Sequence, residues 1–222
     1  MNKYVIIVAG GKGLRMGGPL PKQFLNLAGK PIIMHTIERF VNAIGDISVI
    51  LVLSEETKVL WQELVKEYDF NINVTIADGG ETRFDSVKNG LKLVDDNSIV
   101  AVHDAVRPFV SKDVIIDSFN SVKKNVGIIP VVEPVDSVRE IKEDESRSID
   151  RSKLRLVQTP QVFFSNDIKC AYNRDYENFF TDDASVFEAW DGKIVCIDGN
   201  RENIKITTPF DLKIAEILIE NA

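Results

Sequence analysis

Continuous apolar runs alternate with stretches of helical period along most of this chain. The runs are VIIVA at 5–9, VILVL at 49–53, VTIA at 74–77, IVAVH at 99–103 and GIIPVV at 127–132. Between them, apolar positions recur three and four residues apart, which predicts helices around 32–41, 56–68, 82–93 and 112–123. Strands apolar on both faces belong in a sheet covered by helices on each side, whereas a half-solvated sheet would alternate apolar and polar positions. The pattern therefore predicts an α/β fold with a mostly parallel, twisted sheet, and it places function at the carboxyl ends of the strands. The rhythm breaks at 133–158, where alternating residues flank a charged centre, EDESR; two extended strands joined by a solvated turn fit that stretch. An amphipathic helix is predicted over 209–221.

The first strand runs straight into AGGKGLRMGGPLPKQF at 9–24. Glycines at the end of a buried strand expose backbone N–H groups that a phosphate can approach without meeting a Cβ. Gly11 and Gly13 are followed by Arg15, and no third glycine opens a long helix; Gly17, Gly18, Pro19 and Pro21 instead keep the chain irregular up to Lys22. That spacing argues for a loop wrapped over a triphosphate, with a solvated glycine loop as the bland alternative. Asp104 follows a buried strand on the same predicted edge, where a carboxylate suits Mg²⁺ or, more blandly, caps the next turn. Lys205 stands between Ile204 and Ile206, a frame in which an unpaired ammonium would be costly if buried. His103, inside its strand run, reads as a hydrogen-bonded structural imidazole, and His35 has no catalytic claim. Asp182 and Asp183 after Thr181 read as a helix cap, with a metal role second. Arg83 reads equally well as a site residue and as a structural ion-pair partner.

Composition narrows the partners. The 222 residues, 44% hydrophobic, suffice for one large α/β domain with a full core, and a net charge of −7 argues against a nucleic-acid or anionic-membrane partner. Cys170 and Cys196 lack metal-ligand spacing and are expected to be buried thiols in a reducing cytosol. The amino terminus enters a core strand at once, leaving no room for a signal peptide, and no apolar run approaches the roughly 20 residues of a membrane span. A cytoplasmic protein is expected.

The glycine loop, together with ADGGETRFDSVKNGL (77–91), VHDAVRPFV (102–110), DRSKLRLVQTPQVF (150–163), FTDDASVFE (180–188) and GNRENIKITTPFDLKIA (199–215), resembles the polyol-phosphate cytidylyltransferase family. Within it the chain is most similar to the enzymes that use CTP and 2-C-methyl-D-erythritol 4-phosphate in the non-mevalonate isoprenoid pathway. The resemblance implies a GT-A-like, Rossmann-like nucleotidyltransferase unit over residues 1–222, with an arm at about 133–158 that clasps a second subunit of a homodimer. It implies that Arg15, Lys22 and Lys205 contact the triphosphate as catalytic groups. Ala9, Gly10, Gly11, Gly13, Gly80, Glu81, Ser86 and Ala105 would bind the nucleotide, and Asp104 would hold Mg²⁺ or another divalent cation. Arg107, Ser137, Arg151 and Thr159 would bind the acceptor phosphate, Ser137 standing where the family usually carries Thr. The nearest rival is a ribitol-5-phosphate cytidylyltransferase, which shares the PLPKQF-like, HDAVRPF-like and TTP segments but differs around FTDDASVFE. A nicotinamide oxidoreductase would need a helix opened by a third glycine, which Pro19 and Pro21 interrupt. A catalytically dead binding subunit is disfavoured because every charged position expected of the active family is filled.

Overall fold

The computed structural model describes residues 1–10 and 20–220. The first apolar run forms β1 (Lys3–Val8), and a short hairpin of β2 (Asn26–Leu27) and β3 (Lys30–Pro31) leads into α1 (Ile32–Ala43). Then β4 (Ile47–Leu53), α2 (Glu55–Glu67), β5 (Val74–Asp78), α3 (Arg83–Leu91), β6 (Ile99–Asp104), α4 (Lys112–Ser121) and β7 (Val126–Val132) follow in the predicted alternation. β1 pairs in parallel with β4 on one side and β6 on the other, and β4 carries β5. The order β6-β1-β4-β5 puts the reversal of strand direction of travel beside β1, which is where open α/β sheets leave a crevice.

Beyond residue 132 the topology changes. β8 (Val138–Lys142) and β9 (Glu145–Ile149) form an antiparallel hairpin apart from the main sheet, matching the two extended strands read from 133–158. β10 (Leu156–Val157) and β11 (Gln161–Phe164) rejoin the main sheet antiparallel, with β11 between β6 and β7. α5 (Ser165–Ala171), α6 (Asp183–Glu188), β12 (Lys193–Asp198), parallel to β7, and α7 (Pro209–Glu220) complete the described chain. The sheet is thus mixed but mostly parallel, in keeping with the apolar runs.

The runs VIIVA and VILVL lack polar residues because successive side chains enter two different cores. Val5, Ile7, Leu51 and Leu53 pack with Ile37 and Phe40 of α1 and with Ile115 and Phe119 of α4. Tyr4, Ile6, Ile50 and Val52 pack on the other face with Phe84 and Leu91 of α3, Ile168 of α5 and Phe187 of α6. Each fully buried aliphatic or aromatic side chain of this kind contributes about 1.5–3 kcal/mol. A third cluster of Leu27, Ile32, Val106, Phe109, Ile206 and Ala215 attaches α7. The expectation of buried thiols fails, since Cys170 and Cys196 are both exposed. α5 turns Ser165, Ile168 and Ala171 inward, which leaves Cys170 on its outer face, and β12 pairs only with β7, so Cys196 lies on a solvated sheet edge. Among the described residues, no helix is long and apolar enough to cross a membrane.

Candidate active site

The parallel strands end in register: Val8 is level with both Val52 and Asp104. The segments leaving β1, β4, β5 and β6 consequently meet at one edge, around a cleft of about 610 Å³. It is lined by Ala9, Gly10, Lys22, Gly80, Glu81, Ser86, Asp104, Ala105 and Lys205, all predicted from the sequence, and also by Gln23, Ser54, Thr82 and Arg83. Gly11, Gly13 and Arg15 lie outside the described residues.

One end of the cleft is built from backbone held by the polar side chains of Gln23, Thr82, Asp85 and Ser86. Gln23, buried in a 3-10 turn over Lys22–Phe24, donates from Nε2 to the Ala9 carbonyl at 2.6 Å and fixes the chain just past β1. Thr82 and Asp85 form a reciprocal capping box at the start of α3, which satisfies N–H groups the first helical turn would leave orphaned. The Ser86 hydroxyl accepts from Gly80 N–H at 3.0 Å and donates to the Thr82 carbonyl at 3.0 Å. Its proton is therefore spent, and any ligand meets it as an acceptor only. Gly80 is required here because a Cβ would fall 2.2 Å from Asp85 Cβ.

At the other end, Asp104 gathers cations. Its Oδ2 lies 3.0 Å from Lys205 Nζ and 3.1 Å from Arg107 Nε, while Oδ1 faces Arg83 Nε at 3.9 Å. Burial alone would raise the Asp104 carboxyl, but Lys205, Arg83 and Arg107 outweigh it and hold the group well below the ordinary carboxylate range. Lys205 is placed by its neighbour: Ile206 is fully buried against α7 and donates its N–H to the Val106 carbonyl at 3.0 Å. Arg83 commits its fork elsewhere, with Nη1 and Nη2 on the two oxygens of Asp183 at 3.0 and 2.6 Å. Asp183 is fully buried and also accepts the Tyr172 hydroxyl at 2.6 Å.

Four of the residues read as acceptor ligands do not line this cleft. Arg107 sits beneath it, bound to Asp104 and, through Nη1, to the Asn203 carbonyl at 2.8 Å. Thr159 is buried, with its hydroxyl occupied: it accepts Asp104 N–H at 3.1 Å and bonds His103 Nδ1 at 3.0 Å. Because His103 Nε2 faces the Arg107 carbonyl at 3.1 Å, that nitrogen carries the ring proton and Nδ1 accepts from Thr159. Burial pushes the His103 pKa down to about 4, so the ring is neutral and structural, as its place in the strand run implied. Ser137 and Arg151 flank the β8–β9 hairpin, both exposed, with Arg151 donating to the Val135 carbonyl of its own arm. Asp182 does cap α6, accepting Ser185 N–H at 2.9 Å, but Asp183 does not; it is the buried partner of Arg83. Its signal was present in the sequence: Asp183 shares the inward face of α6 with Val186 and Phe187, and a carboxylate at a core position demands a cation.

Among the described residues no group of three or more His, Cys, Asp or Glu side chains could enclose a metal. Asp104 offers one carboxylate on the cleft wall, which suits Mg²⁺, an ion commonly held by one or two carboxylates plus the phosphates of a substrate.

The sequence profile of 2-C-methyl-D-erythritol 4-phosphate cytidylyltransferase (IspD) matches residues 3–221. A 2-C-methyl-D-erythritol 4-phosphate cytidylyltransferase of Phocaeicola vulgatus is 52% identical over 219 residues, covering 99% of this chain and 100% of that protein. The crystal structure of the Francisella tularensis enzyme of that name superposes with a TM-score of 0.80 at 31% identity, covering 98% of this chain and 99% of the other. The 4-diphosphocytidyl-2C-methyl-D-erythritol synthase of Anaerococcus prevotii superposes with a TM-score of 0.83 at 29% identity, covering 99% and 96%. Matched by the family profile over nearly its whole length and 52% identical to a full-length relative, the chain belongs to the 2-C-methyl-D-erythritol 4-phosphate cytidylyltransferase family.

Proposed function

We propose that this cleft transfers a cytidylyl group from CTP to 2-C-methyl-D-erythritol 4-phosphate, giving 4-diphosphocytidyl-2-C-methyl-D-erythritol and pyrophosphate in the non-mevalonate isoprenoid pathway. The observation that carries the reading is the pairing of an acceptor-only hydroxyl, Ser86, at one end of the cleft with Lys22, Lys205 and Asp104 along it. An acceptor favours the 4-amino group of cytosine over the 4-keto group of uracil. A phosphate oxygen of the acceptor attacks the α-phosphorus of CTP, and the bond to the β-phosphate breaks as the new one forms. No side-chain nucleophile is needed; the protein orients two anions and offsets the charge that gathers on the α-phosphoryl oxygens and the leaving group.

Lys22 and Arg15 would hold the triphosphate, and Lys205 would move from Asp104 to the α-phosphate once CTP enters. Asp104 would hold a divalent cation, Mg²⁺ or a similar ion, which neutralises phosphate charge when bound. Arg107 would keep Asp104 oriented from beneath the cleft. Ser137 and Arg151 do not line the cleft of their own chain, and the hairpin that bears them stands apart from the main sheet. That supports a homodimer in which the arm at about 133–158 completes the acceptor site of its partner's single nucleotidyltransferase unit. The acidic balance and the lack of any membrane-crossing helix among the described residues fit a cytoplasmic enzyme.

Pyrophosphate release tests the reading, with CTP or UTP as donor and 2-C-methyl-D-erythritol 4-phosphate or ribitol 5-phosphate as acceptor. Turnover should require CTP and the methylerythritol phosphate. Preference for ribitol phosphate would overturn the acceptor, and equal use of UTP would overturn the role of Ser86.

A further inference from the structure

Among the described residues, the carboxylate of Asp104 is flanked by three cations yet keeps one oxygen open. Oδ2 is taken by Lys205 and Arg107 at 3.0 and 3.1 Å, while among those residues Oδ1 faces only Arg83 Nε, at 3.9 Å and beyond hydrogen-bond reach. A guanidinium so close to a carboxylate would ordinarily close on it with two parallel bonds. Arg83 does not, because both ends of its fork are spent on Asp183. Asp183 is fixed in turn. It is fully buried, accepts the Tyr172 hydroxyl at 2.6 Å, and opens α6, whose Ala184 N–H is received by the buried Gln161 at 2.8 Å. Gln161 sits on β11, paired with Val102 of β6, two residues before Asp104. Asp183 and Asp104 are thus held from the same part of the sheet, competing for one arginine, and Asp183 wins.

We infer that Asp183, which lies outside the cleft, is a positioning residue for cytidylyl transfer: by holding the fork of Arg83 it reserves Oδ1 of Asp104 for the cleft. This rests on Asp104 being the residue that holds the divalent cation. Neutralising Asp183 frees Arg83 to turn onto Oδ1, and Asp104 then becomes a fully caged carboxylate with no oxygen to offer. Removing Arg83 as well reopens that oxygen, so the need for Asp183 disappears with its partner. A purely structural ion pair has no such property.

The test compares Asp183→Asn, the double variant Arg83→Gln/Asp183→Asn and Asp104→Asn in the full-length protein. Circular dichroism and thermal midpoints establish folding, and Mn²⁺ affinity is measured on each protein saturated with CTP, alongside kcat. Asp183→Asn should weaken Mn²⁺ binding by about tenfold and lower kcat by a similar factor, and the double variant should recover Mn²⁺ affinity to within about threefold of the parent. If Asp183→Asn fails to fold, the same comparison is made with Asp183→Ser and Arg83→Gln/Asp183→Ser: a weakened single variant restored by its double supports the proposal, and a folded single variant with parent-like Mn²⁺ affinity overturns it. A folded Asp183→Asn protein with parent-like Mn²⁺ affinity, or a double variant no better than the single, also overturns it. Should Asp104→Asn itself leave Mn²⁺ affinity unchanged, the underlying role of Asp104 is what fails.

Discussion

Mild acid should destabilise this protein through one buried ring. His103 is fully buried, neutral, and linked in a chain from Asp104 N–H through the Thr159 hydroxyl and the imidazole to the Arg107 carbonyl. Protonating Nδ1 would turn an acceptor into a donor facing a hydroxyl that already accepts the Asp104 N–H. The folded ring titrates at about 4 against an ordinary value of 6.5. Between those values only the unfolded state takes up the proton, so stability falls as the pH falls, by up to about 1.4 kcal/mol per pH unit and roughly 3 kcal/mol over the window. Above pH 6.5 neither state is protonated, and the contribution is fully present. His35, whose pKa burial also lowers, adds a slope of the same sign, so a comparison in which it is common to both proteins is needed. His103→Gln supplies that comparison, since an amide can donate to the Arg107 carbonyl and does not titrate. Urea unfolding at pH 7, 6, 5 and 4.5 should show the parent losing roughly 2–3 kcal/mol more than the variant. Parallel curves would refute the reasoning.

Lys22→Ala should lower turnover on the order of a hundredfold with the fold intact, as measured by single-turnover pyrophosphate release; near-parent turnover would remove Lys22 from the chemistry. Gly80→Ala must move the first turn of α3, because the new Cβ would fall 2.2 Å from Asp85 Cβ and 2.9 Å from the Asp85 carbonyl carbon, and CTP affinity by calorimetry should drop on the order of tenfold. Unchanged affinity would mean that this turn does not shape the base pocket. Mixing Arg151→Ala with Lys22→Ala subunits should restore activity above that of either alone, since one site of the heterodimer then carries both intact residues. Failure to complement after proven subunit exchange would place each site within a single chain.

The fold up to β7 was legible because β1, β4, β6 and β7 are buried on both faces, so that hydrophobic period and element type coincide there. After β7 they do not: β12 is a solvated edge strand whose apolar residues, Val195 among them, are partly exposed, and β10 is only two residues long. The edge that carries the cleft was legible for a related reason, since a strand that ends in glycine or aspartate announces where a parallel sheet meets its ligand, whereas Glu81, Ser86 and Ala105 were implied only by the family resemblance. The roles within it were less so. Thr159 and Arg107 carry polar groups in a motif full of charge, and only the three-dimensional network shows that their hydrogen bonds are consumed by His103, Asp104 and Asn203. Arg83 and Asp183 are 100 residues apart, a pairing that sequence spacing alone does not supply.

Lys205 reaches the cleft on a segment with no strand of its own; what holds it is Ile206, inserted among Val106, Phe109 and Ala215 of α7. The C-terminal helix is therefore a remote mount for a cation of the cleft, joined to it by the packing of Ile206, by Asp211, which accepts from Thr207 and Thr208, and by the backbone bond from Ile206 to Val106. Anything that loosens that helix, such as a proteolytic nick before Pro209 or a bulky fusion that pries it away, would leave the sheet and the base pocket standing while withdrawing a cation from the catalytic cleft. Such a protein would still bind nucleotide and pass ordinary tests of folding, yet would turn over slowly, so the integrity of the last helix is a better gauge of competence than global stability.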